Sequence, residues 1–346
     1  MSLFNKVSVC VVAFLCARSV AAQDGELSRW QPQGPVPVDQ AGAGRRGYSL
    51  PGEGADVTEP GASQVSFHTV SANNFYVEQT DSVLISQRSE THTLALEYRR
   101  GFKTGRLPRF ELGAQMQVSE TDAGMLNGFI SGFENFVHAP LRSKAVSLPP
   151  LGTYVMKDGR AIYQSAGDRS GLGDVTFVAK ALLRDRSPES RDTRVAARVA
   201  VNVSGMSAFT EGNFAGLGVS VEKKLAERLA FHGDLRASVS MDTVSTWGLP
   251  LARGALAFSV GPEMRLTRNT SMNLQFDGST SPYKPTGTTG LDAGYGDIAF
   301  GLNRHFSAGR REVVAQLYGR ENMNLPSSVR WNTDPDLAVG LKVTVH

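Results

Sequence analysis

Apolar and polar residues alternate one by one along a dozen segments of this 346-residue chain. Along residues 110–119, the apolar set begins with Phe110 and Leu112, and the polar set begins with Glu111 and Gln115. Because successive side chains of a β-strand point to opposite faces, a period of two predicts strands. The chain is therefore predicted to be all-β from about residue 63 to its end.

Each alternating segment has about the 9–11 residues that a tilted strand needs to cross a bilayer, or slightly more. The twelve expected strands are, in chain order, residues 64–77, 91–102, 107–119, 172–183, 193–204, 214–225, 228–240, 251–266, 271–278, 294–306, 311–321 and 334–345.

A soluble β-sandwich also alternates, and two features favour a transmembrane antiparallel up-and-down barrel instead. The polar faces carry many full charges, which a dry sandwich core would not tolerate. The connections also alternate in length, with mostly tight turns such as 226–227 and mostly long loops such as 279–293. Short turns at one end and long loops at the other are typical of outer-membrane barrels.

Residues 1–22 have the pattern of a secretory signal peptide. Lys6 precedes an apolar core, Arg18 interrupts that core too early for a spanning helix, and Ala21 and Ala22 precede the expected cleavage site. Both cysteines, Cys10 and Cys16, would leave with this segment. With the signal peptide removed, the mature chain is expected to be exported without thiols or disulfides. An uncleaved anchor is the alternative.

Residues 23–62 hold 8 glycines and 5 prolines in 40 positions. This composition predicts a flexible, disordered periplasmic leader without a core of its own. The full chain is 41% hydrophobic and only 20% charged, with a net charge of +3, which argues against a nucleic-acid partner.

The inner wall of the predicted barrel collects side chains of both charges. They form either a narrow polar pore with charged rings or a salt-bridged plug that satisfies its own polar groups. The lumen-lining candidates are Glu97, Arg99, Glu111, Asp174, Lys180, Arg194, Arg198, Asp234, Arg236, Glu263, Arg265, Asp297 and Arg320.

The longest predicted loop, residues 120–170, contains apolar residues at helical spacing. They predict a short amphipathic helix, which would cap the rim, gate the lumen or bind a hydrophobic ligand. The gate candidates are Leu126, Phe129, Ile130, Phe133 and Val137.

Residue patterns for catalysis and metal binding are weak. His232, Asp234 and Ser238 share one face of a strand, but they stand in a row and do not converge as a triad must. The six histidines have no metal-ligand spacing. We therefore expect no enzymatic activity, no metal and no cofactor.

The stretches Gly124–Phe133 and Ser170–Asp174 resemble a family of Gram-negative outer-membrane proteins catalogued as domain of unknown function 3187. Residues 71–75 and 334–337 are similar to that family's other landmarks, so the resemblance covers about residues 64–346. It implies a barrel in the outer membrane and no established activity. The aromatic C-terminal residue expected of such a barrel is absent, because Val345 and His346 end the chain.

Together these patterns predict an outer-membrane barrel that acts as a narrow passive channel or small-solute transporter. The alternative is a structural or ligand-binding barrel with a closed lumen. For the barrel in either role, the expected partners are membrane lipid, lipopolysaccharide and the outer-membrane barrel assembly machinery. The sequence does not define the solute or the oligomeric state.

Overall fold

The computed structural model describes residues 32–37, 50–103, 105, 109–122, 152–166, 169–185, 193–205, 209, 212–292, 294–309, 311–322 and 337–346. Within these ranges the chain forms fourteen strands and one short helix. They are β1 (Ser63–Gln79), β2 (Val83–Phe102), β3 (Phe110–Asp122), β4 (Gly152–Lys157), β5 (Arg160–Ala166), β6 (Arg169–Arg184), β7 (Thr193–Val203), β8 (Phe214–Ala226), β9 (Leu229–Ser240), β10 (Gly254–Thr267), β11 (Thr270–Ser279), α1 (Thr289–Asp292), β12 (Tyr295–Ala308), β13 (Arg311–Asn322) and β14 (Leu337–Val345).

Twelve of these strands form a closed antiparallel barrel. Each strand pairs with its neighbours in the order β1, β2, β3 and then β6 to β14, and β14 pairs back onto β1. Val65 of β1, for example, lies opposite Tyr98 of β2 and Val345 of β14. The prediction of a twelve-stranded antiparallel barrel is therefore confirmed. In the described part of the chain, no helix is long and apolar enough to cross a membrane.

The outer surface of the barrel is an apolar belt to which all twelve barrel strands contribute exposed side chains. Phe67 of β1 is 50% exposed, Phe177 of β6 is 53% exposed and Leu217 of β8 is 61% exposed. Exposed apolar side chains on this scale are unfavourable in water and favourable against lipid. The outward face of the alternation is therefore the lipid-facing one.

A β-bulge between β3 and β6 turns one acid into the lumen. Met116 pairs with Val175 and Val118 pairs with Leu172, so Gln117 lies opposite both Gly173 and Asp174. Such an extra residue re-aims the side chains that follow it. Asp174 consequently points inward, where it is 3% exposed and accepts a hydrogen bond from Asn202 Nδ2 at 2.8 Å.

The fold differs from the sequence interpretation at the long-loop end. Part of the predicted loop 120–170 is the hairpin β4–β5, which adds to residues 83–88 of β2. Its turn residues Asp158 and Gly159 have φ of 49° and 74°, as a type I′ turn requires. β2 is also longer than predicted, because it begins at Val83.

The alternation in β3 gives a matched pair of substitutions that tests the lipid-facing surface. Met116 is 42% exposed on the outer face, and its neighbour Gln115 faces inward between Glu97 and Thr176. Arg near the midplane of a barrel exterior costs roughly 2–4 kcal/mol. We expect Met116→Arg to lower the yield of barrel that shifts mobility on boiling in SDS, and Gln115→Arg to leave it near wild type. Equal yields from the two variants would contradict the assigned faces.

Candidate functional site

Two stretches of the N-terminal region, residues 32–37 and 50–62, form what we call the luminal strap. Residues 32–37 and 50–58 run through the barrel interior, and residues 59–62 continue to β1 at the exposed short-turn end. Val36 and Ala55 are fully buried, and Val57 is 2% exposed. The prediction that residues 23–62 form a disordered leader is wrong for these two stretches, because each makes many contacts with the inner wall. The predicted signal peptide, 1–22, lies outside the described residues.

Side chains of the wall hold the first stretch through its backbone. The amide of Gln275 accepts a hydrogen bond from Val36 N at 2.6 Å and donates one to Val36 O at 3.1 Å. Asn273 Nδ2 donates to Gly34 O at 2.6 Å, and Glu263 Oε2 accepts from Gln33 N at 2.8 Å. Buried backbone groups that lack a sheet partner are thereby satisfied.

The second stretch is held by the carboxylate of Glu53. Arg99 donates from both terminal nitrogens, Nη2 to Oε1 at 2.8 Å and Nη1 to Oε2 at 2.9 Å. Arg198 Nη1 lies 2.7 Å from Oε1, and Lys180 Nζ lies 3.3 Å from Oε2. Each oxygen of Glu53 therefore faces two cationic donors, and the two-pronged contact with Arg99 is the strong geometry for a carboxylate.

The remaining acids of the strap follow the same wall toward the short-turn end. Asp56 Oδ1 lies 2.7 Å from Arg194 Nη1, and Glu59 pairs with Arg109. Between them, Thr58 donates to Glu111 Oε2 from both its backbone nitrogen and its hydroxyl, each at 2.7 Å. The strap is thus fastened by ionic and polar contacts at successive levels of the lumen.

The ion pairs that extend from the three strap acids form a balanced set. Among the described residues they join seven basic and seven acidic side chains, and three of the acids belong to the strap. The basic members are Arg99, Arg109, Lys180, Arg194, Arg198, Arg236 and Lys342; the acidic members are Glu53, Asp56, Glu59, Glu97, Glu111, Asp185 and Asp234. Within this set the wall members are seven bases against four acids, and the three strap acids make the numbers equal.

Glycines allow the strap to fit. A Cβ on Gly52 would lie 2.7 Å from Ser259 Oγ, and one on Gly34, whose φ is +82°, would lie 2.9 Å from Gly54 Cα. Real Cβ atoms do not approach other atoms this closely, so the first stretch crosses the second at Gly54 because Gly34 lacks a side chain, and Gly52 lies against Ser259 of the wall for the same reason. The glycine content of this region therefore serves close packing.

An apolar cluster closes the lumen at the long-loop end. Trp247, Leu249 and Tyr283 of the loops pack with Val155 of β4 and with Leu50 of the strap, each at most 5% exposed. The indole ring of Trp247 also lies 6.2 Å from the ring of Tyr163 in β5. We call this cluster the loop-end cap.

The structure places twelve of the thirteen lumen-lining candidates inside the barrel. Their side chains or whole residues are at most 12% exposed: Glu97, Arg99, Glu111, Asp174, Lys180, Arg194, Arg198, Asp234, Arg236, Glu263, Asp297 and Arg320. Arg265 differs. It is partly exposed near the short-turn end, where its Nε donates to Thr267 O at 3.0 Å. The gate candidates Leu126, Phe129, Ile130, Phe133 and Val137 lie outside the described residues.

The residues that sequence reasoning missed are those of the strap and the two wall amides that hold it, Asn273 and Gln275. One signal was available. Residues 50–62 carry three acids at every third position, Glu53, Asp56 and Glu59, and no base. An acidic segment preceding a wall with many bases is a pattern of charge complementarity.

The histidines of the described ranges take part in polar contacts with different partners. His232 Nε2 lies 3.0 Å from Glu263, whereas Asp234 pairs with Arg198 at 3.1 Å. His92 lies 2.8 Å from Ser71 Oγ and 3.3 Å from Asp122 Oδ1. In the part of the chain that the structure describes, no group of three His, Cys, Asp or Glu side chains is arranged to hold a metal ion.

Comparison with solved structures places this architecture among outer-membrane barrels. An outer membrane channel from Pseudomonas putida F1 matches 84% of this chain and 97% of its own, with a TM-score of 0.53 and 12% identity. The NanC porin matches 82% and 98% of the two chains at a TM-score of 0.42 and 9% identity. A toluene transporter of Pseudomonas putida, TodX, matches 89% and 98% at 0.41 and 10%. At these identities the likeness shows the fold alone, and only the first of the three scores exceeds 0.5.

No protein-family model matches the chain, and no curated protein matches it. The resemblance to the family of domain of unknown function 3187 therefore stays a prediction.

The environment of Glu53 makes strap docking depend on pH. Burial by itself raises the pKa of this carboxyl, but attraction to Arg198, Arg99 and Lys180 outweighs burial and holds the pKa well below its ordinary 4.5. A carboxyl with a lowered pKa contributes stability that is complete above its ordinary pKa. That contribution is lost as the pH falls through the lowered value.

We therefore expect the backbone amides of residues 50–62 to lose hydrogen-exchange protection as the pH falls from neutral to below 4.5. The measured hydrogen-exchange rates are corrected for the intrinsic pH dependence of amide exchange. Glu53→Gln lacks the titrating group, so its strap should be less protected at neutral pH and should change less on acidification. Protection that is identical in the two proteins at every pH would contradict this role of Glu53.

Proposed function

We propose that this chain is an outer-membrane β-barrel that acts as a narrow passive channel or small-solute transporter, and that the luminal strap is its gate. The observation that carries the proposal is the ionic docking of the strap across the lumen, centred on Glu53. A segment that occupies the lumen without belonging to the wall leaves space there when it moves, and its Leu50 then also leaves the loop-end cap.

The contacts of the strap suit a removable gate. Its acids and backbone groups bind wall side chains through hydrogen bonds that water can replace, and each contributes modestly to net stability. Its large buried apolar side chains in the described stretches are Val36, Leu50 and Val57. Fully burying such a side chain is worth about 1.5–3 kcal/mol, which is small beside the cost of opening the strand ladder of the barrel.

The proposed orientation of the barrel in the membrane follows from the lengths of its connections. The turns 227–228 and 268–269 lie at the short-turn end, which faces the periplasm in outer-membrane barrels. Residues 59–62 join the strap to β1 at this end, so the gate segment reaches the lumen from the periplasmic side. The apolar belt would contact membrane lipid and lipopolysaccharide, and insertion would use the barrel assembly machinery.

A structural or ligand-binding barrel with a permanently closed lumen is the second candidate. The loop-end cap favours it, because Trp247, Leu249 and Tyr283 form an apolar cluster above the strap. A strap that never leaves would serve as a core that fills a barrel of this width. The two functions differ in whether the strap can be displaced without unfolding the wall.

Charge reversal on the strap separates the two candidates. In the full-length chain, Glu53→Arg with Asp56→Arg would place two cations against Arg99, Lys180, Arg198 and Arg194. Since each charge-assisted hydrogen bond is worth about 1.5–3 kcal/mol, we expect the open fraction in planar bilayers to rise by at least about tenfold. Glu227→Arg makes one acid-to-base replacement of the same kind on the exposed short turn and should leave the conductance at the wild-type level.

Heat-modifiable mobility in SDS confirms that each variant still forms the barrel. A double variant that is folded and as silent as wild type would contradict the channel and favour the closed barrel.

A further inference from the structure

The Glu53 carboxylate is bound as a ligand would be bound. Four cationic donors from three strands, Arg99 in β2, Lys180 in β6 and Arg198 in β7, converge on its two oxygens at 2.7–3.3 Å. The side chain of Glu53 belongs to none of these strands. Wall acids hold two of these cations in position, because Arg99 also contacts Glu97 and Glu111 and Arg198 also contacts Asp234. The wall thus presents a carboxylate site that the chain fills with its own residue.

The site continues along the wall. Asp56, three positions after Glu53, is held by Arg194 of β7, four positions before Arg198. With the strap in place, the acids and bases of the ion-pair set are equal in number; without the strap, the wall members of this set are seven bases against four acids. The bases of the set keep Glu97, Glu111, Asp185 and Asp234 as wall partners, and an anion in the place of the strap acids would restore the balance of charge within the set.

The geometry at Arg99 selects among anions. Its two terminal nitrogens lie 2.9 Å and 2.8 Å from the two oxygens of one planar carboxylate. A guanidinium fork of this kind matches the paired oxygens of a carboxylate, and Lys180 and Arg198 supply further point contacts. The second cationic position at Arg194 favours a solute with more than one carboxylate.

We propose that the open lumen binds and passes small organic anions carrying two or more carboxylates, at the positions that Glu53 and Asp56 occupy in the closed barrel. This inference rests on the proposed channel function and names its solute class. Such a solute competes with the strap for the same cations, so the cargo itself favours the open state. Solute binding and gate opening are then coupled, because the solute and the strap bind the same cationic side chains.

A full-length variant with Glu53→Gln, Asp56→Asn and Glu59→Gln keeps the shape of the strap and removes its charge. In planar bilayers under a KCl gradient, chloride should permeate this variant faster than potassium. Glutarate should partially block the current, and its uncharged diamide, glutaramide, should not. Inorganic phosphate should block less well than glutarate, because it lacks the planar pair of oxygens.

Arg99→Gln in the triple-amide background should raise the glutarate concentration for half-block by roughly tenfold, the scale of one lost charge-assisted contact. Arg100→Gln changes the adjacent, outward-facing arginine and should leave the block unchanged. If Arg99→Gln gives no heat-modifiable barrel, Lys180→Gln removes a single contact to the same carboxylate and serves the same comparison.

The outcomes of these experiments test the channel function and the carboxylate site separately. Folded variants without any current would overturn the channel function itself. A current that prefers potassium, that glutarate does not block, or that phosphate blocks better than glutarate would overturn the carboxylate site and leave the channel standing.

Discussion

The ionic contacts of the Glu53 carboxylate are the interaction on which the interior of this protein depends. It joins β2, β6 and β7 through Arg99, Lys180 and Arg198, side chains whose charges would otherwise repel one another inside the barrel. Buried cations without a counter-charge are strongly unfavourable. Within the ion-pair set that extends from the strap, the wall members are seven bases against four acids, and the three strap acids make the numbers equal.

The width of the barrel explains why a separate segment is needed. Barrels of about eight strands are filled by their own side chains, and those of sixteen or more leave an open channel. At twelve strands, the inner side chains do not fill the lumen, and the two strap stretches cross within it at Gly34 and Gly54. Wall glycines complete the fit: a Cβ on Gly301 would lie 2.7 Å from Val36 Cγ2, and one on Gly216 would lie 2.7 Å from Leu50 Cδ1.

The barrel could be predicted from the sequence because its signal is local. Alternation along 110–119 or 193–204 distinguishes the two faces of one strand, of which one contacts lipid and the other faces the lumen. The inward direction of Asp297 follows from the same period, whereas that of Asp174 also depends on the bulge opposite Gln117. The hairpin β4–β5 departs from the prediction although Asp158-Gly159 is a strong turn signal, because apolar residues at helical spacing in the same loop favour a helix.

The strap could not be predicted in the same way. Its contacts join residues that are far apart in the chain, such as Val36 with Gln275, and no period along 23–62 encodes them. Its glycines and prolines have the composition of a flexible linker, although here glycine permits close approach. Only the spacing of Glu53, Asp56 and Glu59 indicated a function, and its meaning required the positions of the bases on the wall.

A reversible disulfide between strap and wall tests most directly whether the strap closes the lumen. A Cβ on Gly52 would lie 3.4 Å from Ser259 Cβ, close to the separation of a disulfide, and the chain's two cysteines lie in the predicted signal peptide. For Gly52→Cys with Ser259→Cys, the account predicts a cross-linked, non-conducting barrel under oxidising conditions and channel openings after reduction. Each single-cysteine variant serves as a control. A folded double variant that forms no cross-link, or that conducts equally before and after reduction, would contradict the account.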